Sequence, residues 1–127
     1  MKRKCFVTAV NCMDGRVQLP VIKWLMDECK ADYVDMITDA GPNRILSSMV
    51  DTAEYNLIRS KVELSLNKHG SRLIAVVGHY DCGGNPADEA TQIKQIKKSV
   101  DNITSWGLNT EVIGLYVDEE WLVHRVI

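Results

Sequence analysis

Two apolar, β-branched runs limit what this chain can fold into, because both end in loops that carry thiol or imidazole groups. Cys5 to Val10 (CFVTAV) leads into Asn11-Cys12-Met13-Asp14-Gly15-Arg16. Leu73 to Gly78 (LIAVVG) leads into His79-Tyr80-Asp81-Cys82-Gly83-Gly84. Short continuous apolar runs bounded by turn residues read as strands buried on both faces. Such strands belong to parallel sheets with helices packed on either side.

The rest of the chain fits that pattern. Lys4 to Asn11 is the first strand. Gln18 to Lys30 predicts a helix, with Val21, Trp24, Leu25 and Cys29 near helical spacing. Pro20 suits its first turn, where a missing N–H does no harm. Asp32 to Thr38 is a second strand, and Ala40-Gly41-Pro42-Asn43 marks a loop. Ser47 to His69 predicts one long helix, closed by Gly70. Its apolar positions Ile58, Val62 and Leu66 exceed what one sheet face needs, which predicts an interface between copies. Leu73 to Gly78 is the third strand. A strongly polar helix from Pro86 or Asp88 to about Trp106 is expected on the outside. Thr110 to Val117 and Trp121 to Val126 are a fourth and a short fifth strand, joined by a turn at Asp118-Glu119-Glu120. The expectation is a single α/β domain over residues 1–127. Its mostly parallel central sheet has the order 2-1-3-4 with a short fifth strand, and helices cover both faces.

In such a sheet ligands bind beyond the carboxyl ends of the strands, where the strand order reverses. The first and third strands are then neighbours, roughly 5 Å apart. Cys12 and His79, 67 positions apart in the chain, would face each other, and Cys82 would turn back to the same point. Two thiols and an imidazole make three-quarters of a tetrahedral zinc site. Three protein ligands with an open fourth position is the catalytic arrangement. Cys5, inside a strand, and Cys29, on an apolar helix face, read as packing residues. His69 reads as a solvated cation at a helix C-terminus, and His124 is not expected to be a ligand.

Asp14 and Arg16 flank Gly15 close to Cys12. In one reading Arg16 holds the aspartate ionised and oriented toward metal-bound water. In another, Asp14 itself binds zinc and closes the site. Gly41 lies on the same sheet edge and is placed to line the pocket. Gly83-Gly84 offers backbone N–H groups to an anion or starts a tight turn. Asp81 receives no role.

Composition narrows the function classes. The net charge of −2 leaves no basic field for nucleic acid. No run approaches a membrane span, and the apolar stretch after Lys2-Arg3-Lys4 is too short for a signal-peptide core. A cytoplasmic chain is expected, in which four cysteines serve metal or packing before disulfides. There is no Cys-x-x-Cys, no GxGxxG and no Walker lysine, so redox and nucleotide chemistry have no support.

Taken together, the two loop motifs resemble those of the β-class carbonic anhydrases, which carry Cys-x-Asp-x-Arg after the first strand and His-x-x-Cys after the third. Here these are Cys12 to Arg16 and His79 to Cys82. The Ala40-Gly41 loop is similar to that family's turn after the second strand, and Gly114 to Val126 to its final strand pair. Gly15 stands where the family usually has serine, and Asp39 where it usually has asparagine. The resemblance implies a zinc enzyme that interconverts carbon dioxide and bicarbonate through zinc-bound hydroxide. It implies Cys12, His79 and Cys82 as ligands, Asp14 and Arg16 as catalytic residues, and Gly41 and Gly83 beside the substrate. It further implies an obligate homodimer or a higher even oligomer. Two alternatives stay open: a hydrolase of carbonyl sulfide or carbon disulfide on the same scaffold, and a non-catalytic zinc-binding relic.

Overall fold

In the computed structural model, which describes residues 3–127, the first apolar run forms strand β1 (Phe6–Cys12) and the second forms β3 (Leu73–His79). Lys2, in the basic opening stretch, lies outside the described residues. Strand β2 (Tyr33–Asp39) pairs with β1 on one side. Strand β4 (Glu111–Val117) pairs with β3 on the other, and β5 (Val123–Arg125) closes the far edge. The order is β2-β1-β3-β4-β5, parallel throughout except for the antiparallel β4–β5 pair. This is the expected topology.

The period of two in each strand divides the core between the sheet's faces. Val7 and Ala9 of β1, Leu73, Ala75 and Val77 of β3, and Ile113, Leu115 and Val117 of β4 meet helix α1 (Gln18–Glu28) through Val21 and Leu25. Val10, Ile74, Val76 and Tyr116 point the other way. They meet α2 (Pro42–Leu46), α3 (Ala53–His69) and α4 (Glu89–Thr104). Cys5 and Cys29 pack against the α1 side, as expected of small hydrophobes.

Several sequence-based expectations are corrected. The long helix predicted from Ser47 to His69 begins only at Ala53, and a separate short helix, α2, precedes it at Pro42–Leu46. Gly41 adopts φ +60°, a conformation that favours glycine, and Pro42 then opens α2 at a position where the predicted loop should lie. Thr52 is extended and caps α3 by accepting from the Tyr55 N–H at 3.1 Å. The proposed surplus of apolar residues is also not surplus: Ile58 and Val62 are buried in the core and Leu66 packs against it. The last helix is not merely an outer polar one. Its inward stripe holds Ile96, Val100 and Ile103, interleaved with the buried polar residues Gln92, Ser99 and Asn102. Finally, Trp121 and Leu122 lie in the turn before β5 rather than in the strand.

Two packing details fix the helices on the α2–α4 side. Ile96 sits so close to the sheet that a Cβ on Gly114 would come within 2.5 Å of its Cγ2, and one on Gly78 within 2.9 Å of its Cδ1. The buried Thr8 hydroxyl of β1 lies 2.7 Å from both the Ser65 hydroxyl of α3 and that of Ser71. Ser65 donates to Asp35 of β2, which also bonds His69 Nδ1 at 2.7 Å. His69 is therefore held by Asp35 and stacked on Phe6 rather than freely solvated. No helix among the described residues is long and apolar enough to cross a membrane.

Ile96 is fully buried against two glycines, so its truncation leaves a cavity that no side chain can fill. Ile96→Ala should cost about 2–5 kcal/mol. Urea unfolding should show this as a lower midpoint with an unchanged slope.

Candidate metal centre

The site begins where the two central strands part. Pairing of β1 with β2 continues to Cys12–Asp39, and that of β3 with β4 to His79–Val117. Pairing of β1 with β3 stops at Val10–Val76. The chain crosses to opposite faces after these two strands, so their ends diverge and leave a crevice.

Buried amides hold the loop that leaves β1. Asn11 is fully buried; its Oδ1 accepts from the Cys12 N–H at 2.8 Å and its Nδ2 donates to the Val17 carbonyl at 3.1 Å. Gln18 reaches back to the Cys12 carbonyl, and the Met13 N–H donates to the Asp39 carbonyl at 2.9 Å. Across the crevice, Asn43 of α2 donates to the Val77 carbonyl at 2.9 Å. The loops after β2 and β3 touch without side chains between them. A Cβ on Gly41 would lie 2.6 Å from the Asn85 Cβ, and one on Gly84 2.5 Å from the Ala40 carbonyl carbon. Gly41 thus has a packing role. Nothing lies within 4 Å of a Cβ built on Gly83.

Cys12, His79 and Cys82 converge in this crevice. All three are buried, and one ligand atom from each lies within 4.8 Å of the others. Among the described residues this is the only such group of three. Asp14 is outside it. The two sulfurs are 3.8 Å apart. Two sulfurs bound to one tetrahedral zinc at about 2.3 Å would be separated by roughly the same distance. His79 Nδ1 lies 2.7 Å from the Tyr80 carbonyl, which assigns the ring proton to Nδ1. Its Nε2 is buried with no hydrogen-bond partner. Such an orphan costs free energy unless something binds it, and beside two thiols a soft or borderline metal ion fits. Burial, and then the neighbouring Cys12, push the Cys82 thiol up from its ordinary pKa, while N–H groups of Asn85 and Gly84 oppose the rise.

At the rim, Asp14 and Arg16 form a two-pronged pair, with contacts of 2.7 Å from the terminal guanidinium nitrogen and 3.1 Å from Nε. The Arg16 N–H adds a third bond to Asp14 at 2.9 Å. Arg16 holds the Asp14 carboxyl down at about 2, against an ordinary 3.8, although partial burial opposes this. Two further partners of Arg16 escaped the sequence reading. Asp81 supplies its carbonyl at 3.1 Å and its carboxylate at 3.3 Å. The Trp121 ring lies under the guanidinium, 4.5 Å from Cζ to centroid. Asp81 has φ +55°, a left-handed conformation that aspartate tolerates. The Asp-Cys-Gly-Gly sequence hints at such a turn but not at its partner. No sequence signal marks Trp121.

Over residues 2–127 the sequence matches a protein family described as "Putative carbonic anhydrase". No curated protein matches the chain. Among solved structures, a carbonic anhydrase from Glaciozyma antarctica superposes with a TM-score of 0.58 at 16% identity, covering 94% of this chain and 81% of that one. A β-carbonic anhydrase from Sordaria macrospora, described as tetrameric, gives 0.53 at 14% identity, covering 98% and 81%. The buried Cys-His-Cys group, the strand order and the family match agree: this chain belongs to the carbonic anhydrase family and has the β-carbonic anhydrase fold.

Proposed function

We propose that this chain binds one zinc ion through Cys12, His79 and Cys82 and hydrates carbon dioxide reversibly to bicarbonate. The observation that carries the reading is the unpartnered Nε2 of His79 beside two thiols, within a family of this chemistry. Zinc held by three protein groups acts as a Lewis acid that lowers the pKa of a bound water to about 7, an effect for which carbonic anhydrases are themselves the standard example. Asp14 stays ionised far below neutral pH, so it serves as a hydrogen-bond acceptor that orients a nucleophile rather than as the base that takes its proton. Arg16 keeps that carboxylate turned and charged. Its positive charge also offsets part of the negative charge that two thiolates bring to the site. Gly41 and Gly83 stand in this reading next to the substrate, where the absence of side chains leaves backbone alone to meet it.

Metal analysis should find about one zinc per chain, lost in Cys12→Ser, His79→Ala and Cys82→Ser. Full occupancy in any two of these variants would sink the ligand set. Zinc uptake near neutral pH should release about two protons, one from each thiol, and should weaken as pH falls. The raised pKa of Cys82 sets the sign, because a protonated thiol must lose its proton to bind.

Stopped-flow assays on the zinc-loaded protein should show carbon dioxide hydration that Cys82→Ala abolishes. Asp14→Ala should keep its zinc yet lose about 10²-fold in turnover, the usual cost of a misplaced nucleophile. Full activity in Asp14→Ala overturns the role given to it. The same assay with carbonyl sulfide and carbon disulfide separates hydration from hydrolysis of those gases.

In the same reading the chain assembles in even numbers. Leu57 and Leu64 on α3, with Met49 and Val50 before it, are exposed apolar residues, and the Sordaria relative is described as tetrameric. Sedimentation at micromolar concentration should show species heavier than 14.3 kDa. A single species of that mass contradicts an assembly.

A further inference from the structure

We propose that Trp121, in the β4–β5 turn, is a positioning residue that holds Arg16 against Asp14 by covering the face of its guanidinium. The inference deepens the carbon dioxide reading and rests on it for its kinetic arm only.

Every nitrogen along the edge of Arg16 is already engaged. Nε and one terminal nitrogen meet the Asp14 carboxylate, and the terminal nitrogens also reach the Asp81 carbonyl and carboxylate. What remains free is the flat face, and the Trp121 ring lies over it. The side chain of Arg16 is 46% exposed. Ion pairs that open to solvent break and re-form readily. A ring stacked on the guanidinium removes the rotation by which this one would open.

The backbone under Trp121 is unusual in a way that packing alone does not require. Its φ is +61°, a left-handed value that is an outlier for a bulky side chain. The surrounding turn enforces that conformation. Asp118 Oδ1 accepts from the N–H groups of Glu120 at 2.9 Å and Leu122 at 3.0 Å. The Asp118 carbonyl accepts from the Trp121 N–H at 2.9 Å, and Oδ2 pairs with His124 Nε2 at 2.6 Å. Glycine would fit this backbone without strain. A large aromatic held there by so many bonds points to a task for the ring. The ring also packs against the α1-side core, so it links the rigid sheet to a loop at the rim of the metal site.

The test separates a positioning role from simple core filling. Trp121→Leu keeps apolar bulk but has no π face. Trp121→Phe restores a ring, and Trp121→Gly removes both ring and strain. In the intact protein, the Arg16 Nε–H order parameter measured by ¹⁵N relaxation should be high. It should fall to below about 0.6 in the leucine and glycine variants and recover in the phenylalanine variant. Zinc content should stay unchanged in all three. With carbon dioxide as substrate, kcat should drop roughly 3- to 30-fold in the leucine variant with KM unchanged, and phenylalanine should recover most of it. Unchanged Arg16 order in Trp121→Leu overturns the proposal. Loosening and recovery of Arg16 support it even where the wild type hydrates no carbon dioxide, in which case the functional reading alone fails.

Discussion

The seam between β1 and β3 closes with backbone hydrogen bonds only as far as Val10–Val76, and the site exists because it closes no further. Each strand end is still held on its outer side, by β2 at Asp39 and by β4 at Val117. The crevice therefore has rigid walls and an open centre, as the reversal of strand order in a doubly wound sheet requires. Cys12 enters from one wall, and His79 and Cys82 from the other. None of the three needs a flexible loop to reach the others.

Around this crevice the chain uses neutral amides inside and charges outside. Asn11, Asn43 and Gln92 are buried, and each donates to a backbone carbonyl of a loop or strand end. An amide meets backbone groups without the desolvation penalty of an ion. The charged trio Asp14, Arg16 and Asp81 sits at the rim, where water tempers that penalty. Scaffold and chemistry are thereby separated: the amides set where the loops lie, and the rim charges decide how the carboxylate of Asp14 points.

The strands and the convergence of Cys12, His79 and Cys82 were legible because both rest on local signals. Apolar β-branched runs mark buried strands, and parallel strands put their ends on one edge. What escaped depends on left-handed backbone at residues whose types rarely adopt it, so the sequence carries no sign of the turn. Met49, at φ +53°, lies in the break between α2 and α3, and nothing in its side chain announces a left-handed residue. Asp81 turns its carbonyl toward Arg16 through a similar dihedral. The inward stripe of α4 was obscured by Gln92, Ser99 and Asn102, polar residues that are buried by context alone. Ile58 and Val62 exceed the need of one sheet face because the core they fill is shared with Leu46 of α2 and Ile103 of α4.

The hydroxyl chain through Thr8, Ser65 and Ser71 bears on a different question, that of which arrangement wins among those with similar apolar burial. Greasy contacts between a helix and a sheet are tolerant of sliding, since one aliphatic neighbour substitutes for another. Shifting α3 by a single turn would carry Ser65 away from Thr8 and Asp35. The buried hydroxyls left behind would each cost about 1–3 kcal/mol. Three small polar side chains thus act as a vernier, admitting one placement of the helix and penalising its near copies.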